Sequence, residues 1–392
     1  MIRFLTAGES HGPMLTAILE GIPAGLPLTA ADINAELARR QQGYGSGGRM
    51  QIEKDAVQIS SGVVNGLTTG GPIALLVVNR DFKNWQARDI TPMTTPRPGH
   101  ADLTGAVKYG YRELRLSLER ASARETTMRV AVGAVCRRLL AEFGIALGGY
   151  VSQIGAVTFD PGEQPDYPAL HAAAEASDVR CPDPELTEAM HAAIRQAKID
   201  KDTLGGVFEV FALNVPPGLG SHVHWDRRLD ARIVGAMVSI QAMKGAEIGR
   251  AFENAGKPGS AVHDMIDRGE NGNLVRRTNR AGGLEGGITT GDPILVRVAM
   301  KPISTMLRGA DSVNLATGEP ESTTYERSDF CAVPRAVPVG EAMLALVLAD
   351  ALVEKLGGDS LDEMRPRFAS LRGNRLEDLP MDNVTWRFGY QV

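Results

Sequence analysis

The stretch Ala56-Val-Gln-Ile-Ser-Ser-Gly-Val-Val-Asn-Gly-Leu-Thr-Thr-Gly-Gly-Pro-Ile-Ala-Leu-Leu-Val-Val78 holds two short apolar runs, 56–59 and 73–78. The turn-forming sequences Ser61-Gly62 and Gly70-Gly71-Pro72 bound them, so both runs read as strands. Further along, Pro293 to Lys301 alternates Ile294, Val296, Val298 and Met300 on one face, the signature of a half-buried strand. Helical patterns interrupt such strands without the regular strand–helix–strand spacing of a doubly wound sheet. An α+β fold with antiparallel sheets is the expectation.

Four helices stand out. Thr29-Ala-Ala-Asp32 opens one that ends near Arg40. Ser122-Ala-Arg-Glu125 has the form of a capping box and starts a second, apolar through Val135, Leu139 and Phe143 up to Gly144. A third runs from about Arg228 with Leu229, Ile233, Met237 and Ile240 on one face, and a fourth follows Pro338 and stops before Gly357-Gly358. Segment 160–204, rich in Pro, Ala, Asp and Glu, reads as a peripheral helical insertion.

At 392 residues the chain is either one large domain or two. Its hydrophobic share of 43% and charged share of 23% exclude a disordered or collagen-like chain. A net charge of -5 argues against a general nucleic-acid binder, so any basic site must be local. Cys136, Cys181 and Cys331 are far apart and form no CxxC pair, which suggests neither a disulfide framework nor a zinc module. The first residues lack a secretory pattern and no run approaches a membrane span, so a cytoplasmic protein without membrane contact is expected. Glycine, at 44 residues, exceeds the average share of about 7% and points to tight turns and close backbone approaches.

Residues 97–129 carry Arg97, Lys108, Arg112, Arg115, Arg120, Arg124 and Arg129 against Asp102, Glu113, Glu119 and Glu125. Arg120 and Arg124 flank the expected N-terminus of the Ser122 helix, where the macrodipole disfavours cations. Either a bound anion resolves that conflict or the arginines pair with Glu119 and Glu125. Arg39, Arg40 and Arg49 bracket the flexible stretch 43–48, which is either a ligand-wrapping loop or a mobile surface loop. Two of the 7 histidines lie in glycine-framed turns, Gly8-Glu-Ser-His-Gly12 and Arg97-Pro-Gly-His-Ala-Asp102, as candidates for acid–base work or for purely structural roles. His222 and His224 lack a third ligand nearby in sequence, and no metal is assigned. The segments 279–291, 301–305 and 326–329 offer bare backbone, hydroxyls, a lysine, an arginine and a carboxylate, the parts that hold a phosphorylated cofactor. Read this way, the chain is an enzyme acting on a multiply anionic small molecule.

Taken together, Gly8-Glu-Ser-His-Gly12, Arg97-Pro-Gly-His-Ala-Asp102, Arg120-Ala-Ser-Ala-Arg-Glu-Thr126, Ser239-Ile-Gln-Ala-Met-Lys-Gly245, the segment 281–291 and Arg327-Ser-Asp-Phe-Cys-Ala-Val-Pro-Arg335 closely resemble the chorismate synthases, in order from residue 1 to about 357. The resemblance implies a lyase of the shikimate pathway, and so of aromatic amino-acid biosynthesis. In that reaction 5-enolpyruvylshikimate-3-phosphate loses phosphate and a ring proton by anti-1,4 elimination to give chorismate. Reduced FMN is required although there is no net redox change, and NADPH is a possible source of reductant. The resemblance further implies a cytoplasmic homotetramer. Each subunit would be a single domain over 1–392, a β-α-β sandwich with antiparallel four-stranded sheets around central helices.

Position by position, His11 resembles the residue that protonates leaving phosphate, and His100 the one that protonates or stabilises reduced FMN near N1. Asp329 is similar to the aspartate near flavin N5, where with Ser10 it could relay a proton. Arg40, Arg49, Arg97, Ala123 and Arg124 match substrate positions. Arg120, Ala121, Ser122, Gln241, Ala242, Gly286, Lys301, Pro302, Ile303, Ser304, Thr305 and Arg327 match FMN positions. Ser46 replaces an arginine that in the family is assigned with Arg40 to ligand or NADP contact, which puts that contact in doubt. Ser328-Asp329-Phe330 likewise replaces the more usual His-Asp-Pro.

Overall fold

The computed structural model of the chain describes residues 1–45, 54–324 and 329–389. Ser46, Arg49, Arg327 and Ser328 therefore lie outside the described residues. The first main sheet contains β1 (Arg3–Ala7), β2 (Met14–Glu20), β3 (Val57–Ser61) and β4 (Ile73–Val78) in the order β1-β2-β4-β3, every pair antiparallel. The runs at 56–59 and 73–78 are thus direct partners, Val57 facing Val77 and Ile59 facing Leu75.

The second sheet contains β5 (Ala146–Ile154), β6 (Val157–Thr158), β7 (Gly206–Leu213), β8 (Met243–Ile248) and β9 (Ile294–Met300) in the order β8-β9-β7-β5-β6, again antiparallel. It has five strands where four were expected, because the chain turns at Ile154 and adds the two-residue β6 as a fringe. The alternation in β9 is borne out, with Ile294, Val296, Val298 and Met300 all buried.

Between residues 29 and 41 the chain forms α1 (Ala30–Gln41), opening where the sequence places it, and the structure adds a reciprocal capping box between Thr29 and Asp32. Two shorter helices, α2 (Asp102–Tyr109) and α3 (Arg115–Ala121), precede α4 (Thr126–Ala141). The capping box expected at Ser122 does not form. Ser122 Oγ accepts only from the Arg124 N–H, at 3.3 Å, in a 3-10 turn over Ala123–Glu125. The Glu125 carboxylate is drawn away by Thr6, Arg129 and Gln241. Three ready partners outweigh one reciprocal backbone bond, so the α-helix starts at Thr126.

Helix α4 packs on β1, β2 and β4 of the first sheet and on β5 of the second. The long helix Val333–Leu356 packs on α4, on α1, on α7 (Leu229–Val238) and on β5 and β7. A Cβ added at Gly133 of α4 would come within 2.3 Å of the Ala342 Cβ, so glycine is required where these two helices cross. The long helix begins at Val333, five residues before Pro338, which sits inside it. It has the length and apolarity of a membrane span, but 83% of its apolar window is buried within the chain, as befits a core helix.

Segment 160–204 contains α5 (Tyr167–Ala176) and α6 (Pro184–Ile199). Met190, Ile194, Val179 and Cys181 from this segment join the main hydrophobic core. All three cysteines are buried and unbridged.

Candidate active site

After β1 the chain turns back at residues 8–13 to enter β2. Gly8 adopts φ 110°, and a Cβ there would meet the Met14 carbonyl at 2.5 Å, so only glycine makes this turn. Asn79, just past β4, ties the turn down by donating from Nδ2 to the carbonyls of Ser10 (3.1 Å) and Gly12 (2.8 Å). The turn presents Ser10 and His11 to α3. The Ser10 N–H donates to the Glu119 carbonyl at 3.1 Å, and the Glu119 carboxylate accepts from the His11 backbone N–H and faces His11 Nδ1, both at 2.7 Å. Trp85 covers the imidazole, with ring centroids 4.0 Å apart.

Burial alone would raise the Glu119 carboxyl. The hydrogen bond and charge of His11, with help from Arg115, reverse this and hold it below its ordinary value. An ionised Glu119 accepts only, so His11 Nδ1 is its donor and the tautomer of the ring is fixed.

The second histidine sits in an analogous turn, where the His100 N–H donates to the Arg97 carbonyl at 3.2 Å. His100 Nδ1 lies 2.6 Å from Asp102 Oδ1. Arg97 grips the same carboxylate through Nε (2.8 Å) and Nη2 (3.0 Å) and reaches Thr305 Oγ1 through Nη1 (3.1 Å). Asp102 is fully buried, which by itself would raise its carboxyl. The bonds from His100 and Arg97 outweigh that and hold it far below the usual carboxylate range. Lys301 Nζ donates to the Gly99 carbonyl and to Ser304 Oγ, each at 2.9 Å, which brings the 301–305 segment to this turn. Burial and the nearby Lys244 lower the affinity of Lys301 for its proton.

Helix α3, only 7 residues long, joins the two turns. Its Ser117 Oγ donates to the Ala101 carbonyl at 2.8 Å, and its Glu119 holds His11. At its end, exposed Arg120 donates to the Thr6 carbonyl (3.0 Å) and Oγ1 (2.9 Å), and Ser122 Oγ lies 3.2 Å from Ser10 Oγ. Glu125 ties Thr6 to Gln241, whose Nε2 donates to it at 3.0 Å. Gln241 Oε1 is buried without a partner among the described residues. The next residue, Ala242, takes φ 70°, a left-handed conformation that non-glycine residues adopt under strain and that recurs at functional sites.

Arg120 and Arg124 do not pair with Glu119 and Glu125 as one of the two sequence readings had it, since His11 claims the first and Arg129, from the same cluster, the second. Arg124 instead makes a two-pronged pair with Asp55, both contacts at 2.7 Å. Arg40 Nη1 lies 3.7 Å from the same carboxylate, while its Nε and Nη2 reach Thr126 Oγ1 and the Ala123 carbonyl. Arg40 and Arg124 therefore converge on one point.

Asp329 pairs with Arg335. Gly286 lies in a hairpin with His222 Cβ 3.9 Å from its ideal Cβ, and makes no hydrogen bond to either histidine turn. His222 does not pair with His224, which is exposed and bonded to Asp226. His171, Glu175 and Glu341 bring metal-ligand types together, but Arg39 and Arg137 already saturate the carboxylates there. A cleft lined by Tyr167, Glu209, Arg250, Asn279 and Arg297 takes in Asn279 and Arg280 from the start of the candidate segment 279–291 but none of the residues matched to substrate or FMN.

Glu119, Asp55 and Asn79 escape sequence reading as site residues, and Asp102 stands in a quoted motif without a role. Only Asp102, two residues from His100, carries a local signal to its histidine, because Glu119 reaches His11 across 108 residues, Asn79 reaches Gly12 across 67 and Asp55 reaches Arg124 across 69.

Carboxylate-held histidines beside converging arginines on an α+β scaffold define an enzyme that performs acid–base chemistry on a multiply anionic small molecule. The comparisons specify which. The family model described as Chorismate synthase matches residues 2–353. The chain is 56% identical over 383 residues to the chorismate synthase of Aquifex aeolicus, covering 94% of this chain and 96% of that protein. It is 51% identical over 392 residues to the chorismate synthase of Chlorobaculum tepidum, with 95% and 98% covered. A crystal structure of chorismate synthase superimposes with a TM-score of 0.77 at 50% identity, covering 94% of this chain and 96% of that one. The chain belongs to the chorismate synthase family, and its reaction is that family's lyase step, the one that yields chorismate in the shikimate pathway.

Proposed function

We propose that the chain performs this step with reduced FMN bound beside 5-enolpyruvylshikimate-3-phosphate, and with His11 and His100 handling protons. The observation that carries the reading is the paired arrangement of His11–Glu119 and His100–Asp102, at 2.7 and 2.6 Å, joined through α3. In each pair an ionised carboxylate takes the Nδ1 proton and fixes the ring, and Nε2 is assigned to giving or accepting a proton.

The substrate carries two carboxylates and a phosphate. Arg40, Arg97 and Arg124 are the described cations matched to them, and Ser10 and Ala123 stand beside that group. His11 donates from Nε2 to the departing phosphate, which leaves more easily as its charge is neutralised. Ser10, bonded to Ser122, and Asp329, held by Arg335, are assigned to passing on the ring proton.

The residues assigned to FMN suit it. The orphaned Gln241 Oε1 needs a donor, which a flavin ring N–H provides. Exposed Arg120 and half-buried Lys301 suit a phosphate or an electron-rich ring edge, and Ala121, Ser122, Ala242 and the segment 302–305 supply backbone around them. His100 stands beside Lys301, where it is assigned to the N1 side. When bound, reduced FMN supplies electron density that eases loss of phosphate and recovers it as the ring proton leaves.

The same reading makes the chain one domain, a β-α-β sandwich with α5 and α6 as an insertion, assembled as a cytoplasmic homotetramer. Supporting assembly, Leu5 and Ile18 are cross-strand partners on the first sheet and remain 74% and 49% exposed, as do Met14 and Val78 at 41% and 48%.

The test is anaerobic incubation of the purified protein with chemically reduced FMN and 5-enolpyruvylshikimate-3-phosphate. Phosphate and chorismate are expected in equal amounts, and their absence from folded protein would overturn the reading. Replacing the chemical reductant with NADPH shows whether the chain also reduces its own flavin.

A further inference from the structure

Arg180 lies in the 160–204 segment, which contributes no residue to the proposed site. It is nevertheless 3% exposed and sits at φ 53°, a left-handed conformation that an arginine adopts only when something holds it.

Its guanidinium provides the reason. Nη2 donates to the Arg39 carbonyl at 2.7 Å, and Nη1 donates to the carbonyls of Gln42 (3.1 Å) and Pro334 (2.7 Å). Nε donates to Glu175 at 2.9 Å. Arg39 and Gln42 lie at the end of α1, where carbonyls run short of helix donors; the Arg39 carbonyl has the Gln42 N–H, at 3.2 Å. The Pro334 carbonyl is orphaned for a different reason. Its partner four residues along the helix would be the N–H of residue 338, and Pro338 has none. Arg180 thus satisfies the buried acceptor that the helix-interior proline leaves behind, and the same side chain closes the end of α1.

The residues adjoining these carbonyls belong to the site. Arg40 follows Arg39 and faces Asp55 and Arg124. Arg335 follows Pro334 and pairs with Asp329. A buried ion network braces the clamp: Glu175 also accepts from Arg39 through both oxygens, and Arg39 with Arg137 neutralises Glu341 of the long helix. Further contacts run alongside, from the Tyr44 N–H to the Asp178 carbonyl (2.8 Å) and from the Phe330 N–H to the Gly45 carbonyl (3.0 Å).

We propose that Arg180 is a positioning residue for the substrate side of the active site, holding the end of α1 and the start of the Val333–Leu356 helix so that Arg40 and Asp329 address the same substrate. This rests on the function proposed above. Only a planar fork reaches three carbonyls at once, and a lysine ammonium at the same place does not.

The test compares R180Q and R180K with wild type and with M190A, a core truncation in α6 of the same segment. R180Q is expected to raise the KM for 5-enolpyruvylshikimate-3-phosphate roughly tenfold or more, because misplaced clamps lose binding. The FMN dissociation constant is expected to stay within about twofold, since the FMN positions do not touch Arg180. R180K is expected to raise KM by about threefold or more, and it carries the test alone if R180Q does not fold. M190A is expected to lose thermal stability with an unchanged KM. An unchanged KM in R180K, or an equal rise in KM in M190A, overturns the positioning role while wild-type turnover leaves the proposed function standing. Absence of wild-type turnover overturns both.

Discussion

His11 and Glu119 meet twice, the carboxylate taking the histidine's backbone N–H on one oxygen and its ring Nδ1 on the other, both at 2.7 Å. This double grip fixes the turn and the tautomer together. Glu119→Gln keeps the shape and removes the charge, and a neutral amide accepts either tautomer of the ring. Turnover is expected to fall by about 10²-fold, on the scale of lost acid–base catalysis, with FMN affinity preserved. Rapid-quench measurement of phosphate release checks this, and a near-normal rate in folded E119Q removes the role of Glu119 in orienting His11.

Asp102 is the more heavily committed carboxylate, since it serves both Arg97 and His100 while fully buried. Asp102→Asn leaves the buried Arg97 guanidinium without its counter-charge, and breaking one side of a buried pair costs about 3–5 kcal/mol. Denaturant unfolding should show a loss of that order, accompanied by loss of turnover. A loss below about 1 kcal/mol would mean that water or Thr305 replaces the carboxylate.

Asp55 occupies the point on which Arg40 and Arg124 converge, so an anionic substrate bound to these arginines, as proposed, would compete with it for the same guanidinium donors. Burial would raise its carboxyl, but the bonds and charges of Arg124 and Arg40 keep it below its ordinary value. Asp55→Asn is expected to lower the melting temperature of the unliganded protein and to enlarge the stabilisation gained from substrate or inorganic phosphate. Thermal shift with and without ligand checks both signs. An unchanged ligand response would show that Asp55 and the ligand do not share these arginines.

Legibility followed sequence distance. The alternation in 293–301 and the helix start at Thr29 rest on neighbours within a few residues, and both elements appear as read. The order of the second sheet could not be read, because β7 lies between β5 and β9 and its pairing with β9 spans 82 residues at Ala212–Ile294 and 94 at Gly206–Met300. The Ser122 box fails because tertiary partners compete for Glu125. Pro338 reads as a helix start because proline normally excludes itself from a helix interior, and the compensating donor, Arg180, lies 154 residues away from Pro334. In the site, glycine-framed turns mark the histidines, but the Glu119 that holds the His11 ring stands 108 residues off and resembles any surface helix glutamate. Of the glycine excess, Gly8 and Gly133 illustrate two separate origins, a site turn and a helix crossing.

The buried network around Arg39 predicts how the fold responds to acid. Burial works to raise the Glu175 carboxyl, but hydrogen bonds from Arg39 and the charges of Arg180 and Arg39 bring it from 4.5 down to about 2. Glu341, fully buried between Arg137 and Arg39, is likewise held far below its ordinary value. A carboxyl whose pKa is lower in the folded state than in the unfolded state stabilises the fold fully above the unfolded value. That contribution fades as pH falls, here from about 4.5 toward 2 for Glu175. Glu175→Gln should therefore be less stable than wild type near neutrality, and the gap should narrow steadily as pH drops below about 4.5. Urea unfolding of both proteins at a series of pH values measures the gap directly. A gap that stays constant down to pH 3 would show that Glu175 holds Arg39 and Arg180 by geometry alone, with no linkage to its proton.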